Sequence, residues 1–183
     1  MKPSGISLLG HALLGLLSQQ PASGYDIRKI FTDTPMGTFS NSPGAIYPAL
    51  RRLEAGKLIH GQVENASGLR RRKVFHLTAA GTSALKEWLN RPVSCEDVVH
   101  AADELMLRFS FMEQIIGEAA AIRFLQALEK ELEGYVPTLR KYLESHQAGM
   151  PCSGSLALES GIRGYETLLG WCRHAIKTYE KKS

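Results

Sequence analysis

The sequence predicts a mainly α-helical protein with one small β-hairpin, divided into two parts of different character. Apolar residues recur at helical spacing through most of the chain, and two short segments, 58–64 and 73–78, are rich in strand formers. Residues 1–92 hold 12 Lys and Arg against 5 Asp and Glu, a net charge of +7. Residues 93–183 hold 10 against 13, a net charge of −3. The uneven charge favours a nucleic-acid-facing half attached to a second unit.

Composition excludes several classes of protein. With 44% hydrophobic and 22% charged residues among 183, whole-chain disorder is excluded, and no apolar run reaches the roughly 18 residues of a membrane span. The apolar segment 6–17 contains His11 and has no small-x-small cleavage site after it, so we expect a first core helix rather than a secretory signal. Three widely spaced cysteines, Cys95, Cys152 and Cys172, fit a reduced, cytoplasmic protein better than a disulfide scaffold.

The second helix carries a clear start signal. Ser23 is a candidate N-cap and Asp26, three residues later, can complete a capping box. We expect this helix to run to about Thr32, and a turn to occupy residues 33–39.

The third helix has one apolar stripe and one polar side. Residues 41–43 supply cap candidates and a proline at the first helical position, and Ile46, Leu50 and Leu53 then fall at i, i+4 and i+7. The other faces carry Tyr47, Arg51, Arg52 and Glu54. Pro48 predicts a distorted first turn or a later helix start, and Gly56 is a natural stop.

A basic hairpin and a fourth helix follow. The predicted strands 58–64 and 73–78 flank a small polar turn that runs into four consecutive cations, Arg70 to Lys73. Thr78 can cap a helix over 79–89. Three helices, a hairpin and a helix are the element order of a winged helix-turn-helix domain, which we assign to residues 1–92.

This order points to DNA recognition. A recognition helix docks by its apolar side and presents polar side chains to the major groove, where an arginine can pair bidentately with guanine. A basic hairpin tip is suited to phosphates or to the minor groove. A solvated turn and an ordinary surface helix would explain either feature alone, but the two together, in this order, favour nucleic acid.

Four segments then resemble the PadR family of transcriptional regulators. They are Leu-Leu-Gly-Leu-Leu at 13–17, Ser-Gly-Tyr-Asp-Ile at 23–27, the recognition-helix signature Ser-Pro-Gly-Ala-Ile-Tyr-Pro-Ala-Leu-Arg-Arg-Leu-Glu at 42–54, and the wing and following turn at 71–81. The resemblance covers about residues 6–92. Members often carry paired tyrosines where this chain has Val74-Phe75-His76.

The resemblance implies a dimeric bacterial repressor with a C-terminal helical dimerisation part and no enzymatic activity. Its partner would be a palindromic double-stranded operator, and family effectors, where they exist, are small and often aromatic. By the same analogy the DNA-binding residues would be Tyr25, Ser42, Pro43, Tyr47, Arg51, Arg52, Arg70, Arg71, Arg72 and Lys73.

The second half predicts an antiparallel α-helical hairpin over residues 118–183. Apolar residues step by 4, 3, 4, 3, 4, 3 from Ala121 to Tyr142, and again from Leu158 to Tyr179, which is typical of coiled-coil-like seams. Pro137 should kink the first of these helices, and a loop is expected over 147–155. Residues 93–117 form a connecting segment, too apolar for a free linker, in which we expect a short helix over 103–116.

Two helices joined by a loop cannot bury both seams alone, so we expect them to form the interface of a homodimer. A palindromic operator also requires a protein with two-fold symmetry. Packing of the seams against the chain's own N-terminal domain is the alternative. The predicted interface residues are Leu125, Leu128, Leu132, Tyr135, Leu139, Leu158, Ile162, Tyr165, Leu169, Cys172 and Ile176. Phe109, Met112, Tyr165 and Trp171 are candidates to line an effector pocket, against the simpler reading that they are core.

Catalysis and metal binding have little support. The sequence lacks a nucleophile elbow, a His-Glu-x-x-His motif, a P-loop and a dinucleotide fingerprint. Cys172 and His174 are two apart, so on one helix they face apart, and we expect no metal and no cofactor. The open alternatives are a winged-helix protein–protein module without specific DNA binding, and a ligand-sensing regulator of the MarR type, which would dimerise through both chain ends.

Overall fold

The computed structural model describes residues 5–34, 36, 42–65 and 71–182; the side chains of Pro43, Asn65 and Arg71 are outside the description. The chain divides into two compact units, Met1–Asn90 and Arg91–Ser183. Among the helices of the described ranges, none combines the length and apolar character that a membrane crossing requires.

The N-terminal unit has the predicted order of three helices, a hairpin and a helix, plus one further short strand. Its elements are α1 (Leu8–Gln19), β1 (Ala22–Ser23), α2 (Gly24–Asp33), α3 (Pro43–Ala55), β2 (Ile59–Asn65), β3 (Arg71–Leu77) and α4 (Ala79–Leu89). The mainly α-helical class with a small hairpin is therefore confirmed. Most of the turn predicted over 33–39, and Asn41, lie outside the described residues.

The sheet is antiparallel, in the order β1-β3-β2. The register pairs Gly61 with Phe75 and Val63 with Lys73 across the hairpin. On its other edge β3 pairs with β1, Ser23 opposite Val74. The strand β3, which carries Arg72 and Lys73, thus pairs directly with the two residues that precede α2.

Side-chain caps set the helix starts in this unit. Ser23 and Asp26 form the predicted capping box at α2, and the Thr78 hydroxyl accepts from the Gly81 amide at the start of α4. The same hydroxyl donates to the carbonyls of Lys57 and Leu58, at 2.8 and 2.9 Å. Thr78 therefore fastens α4 to the chain segment between α3 and β2.

The core of the N-terminal unit lies between the helices and the sheet. Its buried apolar side chains come from all four helices and from the hairpin, and they include Leu13, Leu14, Ile27, Phe31, Ile46, Leu50, Ile59, Val74, Leu85 and Trp88. The buried His11 ring stacks on Trp88, with ring centroids 4.5 Å apart. This core holds α3 with one side inward and leaves the other to solvent.

The C-terminal unit is entirely helical in its described residues. It contains α5 (Cys95–His100), α6 (Ala102–Ile116), α7 (Glu118–His146), a single 3-10 turn (Gln147–Gly149) and α8 (Cys152–Glu180). The helix expected over 103–116 is confirmed as α6, and α5 is an additional helix in the connecting segment. The helix α7 runs unbroken through Pro137, and α8 begins at Cys152, so the loop expected over 147–155 is shorter.

The helices α7 and α8 pack antiparallel, as predicted. Tyr135 meets Tyr165 edge to face with ring centroids 5.2 Å apart, and Arg173 of α8 pairs with Glu129 at 3.0 Å and with Glu133 at 2.5 Å. The helices α5 and α6 also pack on α7. The hairpin therefore gains a third apolar layer from its own chain.

Candidate nucleic-acid interface

The helix α3 presents a sharply two-sided surface. Ile46, Leu50 and Leu53 are at most 5% exposed, which confirms the predicted apolar stripe, whereas Tyr47 is 42% exposed and Arg51 is exposed. Since long side chains on the outer face of a docked helix are free to reach a neighbouring molecule, α3 has the form of a recognition helix.

Pro48 does not delay the start of α3, so the expectation of a later start is wrong. The helix begins at Pro43, and the amides of Ala45 and Ile46 both donate to the Ser42 carbonyl, at 3.0 and 3.1 Å, which tightens the first turn. The amide missing at Pro48 would have bonded the carbonyl of Gly44, an exposed residue that water can reach.

The end of α3 is fixed by a Schellman motif. The Leu58 amide donates to the Leu53 carbonyl and the Lys57 amide to the Glu54 carbonyl, both at 2.9 Å. The left-handed residue is Lys57, with φ 58°, rather than Gly56, with φ −76°. This turn sends the chain straight from the recognition helix into β2.

The start of α2 adds a second aromatic side chain to this surface. Tyr25 is 69% exposed and follows Gly24 at the helix N-terminus. The Tyr47 ring lies so close to Gly24 that a Cβ atom there would come within 2.6 Å of the ring's Cε1 atom. The missing side chain at position 24 thus lets α2 and α3 share one face.

A groove of about 780 Å³ lies between α2, α3 and β3. Five of the predicted DNA-binding residues line it: Tyr25, Tyr47, Arg51, Arg72 and Lys73. Two exposed tyrosines and three cations thus surround one concavity, a combination suited to the sugar–phosphate backbone and base edges of a duplex.

Carboxylates in the groove hold two of its cations. Glu54 lies 2.7 Å from the Lys73 ammonium, and the hydrogen bond that Lys73 donates lowers the pKa of Glu54 below its ordinary value. Asp26 lies 3.6 Å from the Arg72 guanidinium. Its pKa is lowered mainly by the hydrogen bond from the Ser23 hydroxyl, with Arg72 contributing less.

The remaining predicted residues have separate positions. Arg52 is exposed on α3 but lines a different, smaller depression beside Ala49 and Gly56. Ser42 is the exposed N-cap of α3. Arg70 lies outside the described residues, as do the side chains of Pro43, at the start of α3, and Arg71, at the start of β3.

The contributions of four residues to this surface were not predicted from the sequence. Gly24 and Gly61 act through the absence of a side chain, and Asp26 and Glu54 act through ion pairs with the hairpin. Asp26 had a local signal as a capping residue, but its partner Arg72 is 46 positions away, so the charge pairing had none.

In the C-terminal unit, six of the predicted interface residues are already buried within the single chain. They are Leu125, Leu128, Leu132, Ile162, Cys172 and Ile176. This corrects the expectation that the seams need a partner to cover them, because α7 and α8 cover each other and α6 packs on α7. The half-buried members are Tyr135, Leu139, Leu158, Tyr165 and Leu169.

The aromatic candidates for an effector pocket form two groups. The ring of Phe109 meets Trp171 edge to face, with centroids 5.4 Å apart, and stacks on Phe124, with centroids 6.2 Å apart. Met112 is buried, and Tyr165 pairs with Tyr135 instead. Throughout the described ranges, no three His, Cys, Asp or Glu side chains are placed to hold a metal ion.

A two-sided third helix beside a basic antiparallel strand, on a core of helices and a small sheet, defines a winged helix-turn-helix DNA-binding domain. Residues 13–87 match the transcriptional regulator PadR-like family, and residues 103–180 match the C-terminal part of the virulence activator alpha family. The chain therefore carries a PadR-like domain, the domain of a family of transcriptional regulators rather than of enzymes.

Individual relatives are similar over nearly their whole length. The negative transcriptional regulator PadR of Bacillus subtilis (strain 168) is 26% identical over 181 residues, 95% of this chain and 98% of that protein. Its crystal structure in complex with operator DNA covers 96% of this chain and 99% of that one, with 23% identity and a TM-score of 0.45. The crystal structure of the same Bacillus subtilis protein with p-coumaric acid is 23% identical. It matches 95% of this chain and 99% of its own chain, with a TM-score of 0.43. The PadR-like transcriptional regulator BC1756 from Bacillus cereus is 26% identical. Its structure matches 95% of this chain and 99% of its own chain, with a TM-score of 0.42.

Proposed function

We propose that this chain is a homodimeric repressor that binds a palindromic operator, with α3 in the major groove and the hairpin on the flanking backbone. One observation carries the proposal: Tyr47 and Arg51 on the exposed face of α3 line the same groove as the cations Arg72 and Lys73 of β3. Base-reading and phosphate-binding side chains are thereby presented to one side of the domain.

The roles follow from side-chain chemistry. Arg51 has a planar fork that matches guanine O6 and N7, so it is our candidate for base readout. Arg71, Arg72 and Lys73 on the hairpin would neutralise phosphates, a contribution that is independent of sequence and sensitive to salt. Tyr25, at the start of α2, would contact the backbone beside the recognition helix.

A second copy of the chain is the expected partner of the C-terminal unit. Tyr142 and Leu156 are 49% and 57% exposed, and the half-buried Leu139, Leu158 and Leu169 add apolar surface to the same two helices. Burying these side chains against a two-fold related copy would place two N-terminal DNA-binding units at the two half-sites of the operator.

Repression and release complete the proposal. The name of the Bacillus subtilis relative, a negative transcriptional regulator, supports repression. We propose a small aromatic effector whose ring packs with Phe109 and Trp171, since aromatic rings favour edge-to-face and offset neighbours. A regulator of this kind acts where bacterial DNA is, in the cytoplasm.

Two arginine substitutions test the division of labour between helix and hairpin. Arg51→Ala should reduce discrimination between the preferred site and single-base variants by roughly tenfold or more, because a bidentate base contact contributes about 1–3 kcal/mol. Arg71→Ala should weaken binding to all sequences alike and make the slope of log K against log salt shallower by about 0.9. Equal effects of the two on discrimination would contradict the assignment.

A further inference from the structure

The groove contains two carboxylates as well as three cations. Asp26 and Glu54 lie among Arg51, Arg72 and Lys73, and each is close to one hairpin cation. A surface intended only to attract DNA would not carry negative charges there, because they repel phosphate and neutralise the cations that bind it.

The position of Glu54 is fixed on both of its oxygens. One accepts a hydrogen bond from the Gly61 amide at 3.1 Å, and the other accepts from the Lys73 ammonium at 2.7 Å. A Cβ atom at Gly61 would overlap the Lys73 Cε atom, so the missing side chain makes room for the stem of Lys73 where it crosses β2 to reach Glu54. The pair therefore joins the recognition helix to both strands of the hairpin.

The position of Asp26 is fixed by the start of α2. Its Oδ2 atom accepts from the Ser23 amide at 3.0 Å and from the Ser23 hydroxyl at 2.8 Å, and the same atom lies 3.6 Å from Arg72. Glu64, on β2, lies 4.0 Å from the other terminal nitrogen of Arg72. The Arg72 guanidinium thus lies within ion-pair distance of two carboxylates.

These pairs are partly exposed, so they are weak. Exposed ion pairs contribute little to stability, so a closely approaching phosphate can replace the carboxylate partner. A loosely docked duplex does not bring phosphates close enough, and it meets a groove in which Lys73 and Arg72 are already paired. A duplex with α3 fully seated brings its backbone against the hairpin and can take over both cations.

Building on the proposed DNA-binding function, we propose that Asp26 and Glu54 are specificity-determining residues that withhold Arg72 and Lys73 from non-specific DNA. Non-specific binding depends almost wholly on phosphate neutralisation, whereas binding at the preferred site also gains from base contacts. The two carboxylates therefore weaken binding to bulk DNA more than binding to the operator.

The test compares Glu54→Gln and Asp26→Asn with the wild-type chain on a random-sequence duplex and on the preferred site. Gln and Asn keep hydrogen-bonding capacity at both positions, so the hairpin contact and the α2 cap are retained. Fluorescence anisotropy over a series of salt concentrations gives affinity and salt slope. Each substitution should tighten random-duplex binding by about threefold to fivefold and steepen the slope by about 0.9, with a smaller gain at the preferred site.

Two controls separate this effect from a change in net charge. Glu87→Gln removes one negative charge from the exposed side of α4, outside the groove, and should leave both affinities nearly unchanged. In a Lys73→Met background, Glu54→Gln should lose most of its effect, because the cation it releases is gone. Thermal unfolding shows whether each variant is folded. If one carboxylate variant is not folded, the binding comparison with the other variant tests the inference.

The outcomes are distinct. If folded Glu54→Gln and Asp26→Asn bind random DNA no more tightly than wild type, or gain equally on both duplexes, the inference is overturned. If the wild-type chain has no preferred site, the proposed function fails instead, and the random-duplex comparison still decides whether the carboxylates withhold the cations.

Discussion

The ring of Tyr47 lies against Gly24, so that the recognition helix and the start of α2 form one continuous surface. A Cβ atom at Gly24 would lie 2.6 Å from Cε1 of the ring and 3.3 Å from two further ring atoms. The ring is 42% exposed and has room to swing away. The position of this ring on the proposed DNA-binding face therefore depends on the absence of a side chain at position 24.

Gly24→Ala should displace the Tyr47 ring and weaken binding to the preferred site by roughly tenfold, with a change of less than about 1 kcal/mol in the free energy of unfolding, since the ring is not part of the core. Titration of the preferred site and urea unfolding measure the two effects. Adding Gly24→Ala to Tyr47→Ala should cause no further loss, because both act through the same ring. A Gly24→Ala variant that binds like wild type would rule out this role for Tyr47.

Gly81→Ala should lower the free energy of unfolding of the N-terminal unit by about 2 kcal/mol or more. A Cβ atom there would overlap the Leu58 carbonyl oxygen, which is backbone and cannot move aside without disturbing the Thr78 hydrogen bonds. Trp88 fluorescence in a Trp171→Phe background follows this unit alone. As a matched control, Gly134→Ala on α7, where an added Cβ atom has nothing within 4 Å, should be neutral or stabilise the C-terminal unit by about 0.5–1 kcal/mol, followed by far-ultraviolet circular dichroism. Similar effects of the two substitutions would contradict the packing described.

Cys172 should resist alkylation in the native protein, whereas Cys95 and Cys152 should react. Burial raises the pKa of Cys172 to about 11, so its thiolate is scarce near pH 8, and the thiol is out of reach of solvent. Mass spectrometry after iodoacetamide treatment should find Cys172 unmodified until urea is added. Labelling of Cys172 at the rate of Cys95 would mean that the α7–α8 seam opens readily.

Two leucine substitutions separate assembly from folding in the C-terminal unit. Leu132 is fully buried within the single chain, so Leu132→Asp should unfold this unit by placing a charge in its core. Leu156 is 57% exposed on α8, so Leu156→Asp costs the isolated chain little and should shift a dimer towards monomer. Sedimentation velocity with circular dichroism distinguishes the two results. A folded Leu156→Asp variant with unchanged sedimentation would exclude this patch from the interface.

Features that depend on neighbouring residues could be predicted from the sequence. The Ser23 capping box and the Thr78 cap are side-chain signals within three residues of the helix start, and α4 spans the predicted 79–89. The helix α5 carries the same kind of signal, Ser94 with Asp97, which was not recognised within the connecting segment. The starts of these three helices can therefore be read from residues that are close together in the sequence.

Features that depend on distant partners could not be predicted. The two-residue strand β1 exists only because β3 pairs with it. The left-handed backbone conformation of Lys57 belongs to the Schellman turn that ends α3. The sequence predicts Gly56, not Lys57, as the residue that ends this helix. Arg108 lies in an apolar segment of α6 and is buried over the Phe124 ring, 5.1 Å from its centroid, where burial lowers its pKa to about 10. The sequence does not indicate which helix would cover it.

The most direct test of DNA recognition is a binding titration of the wild-type chain on genomic fragments, including the region upstream of its own gene, with bulk DNA as competitor and over a range of salt concentrations. We expect a fragment bound about 10³-fold or more tightly than bulk DNA, with affinity falling steeply as salt rises and with two inverted half-sites about one helical turn apart. If no fragment is bound more tightly than bulk DNA at any salt concentration, the chain does not read sequence through α3.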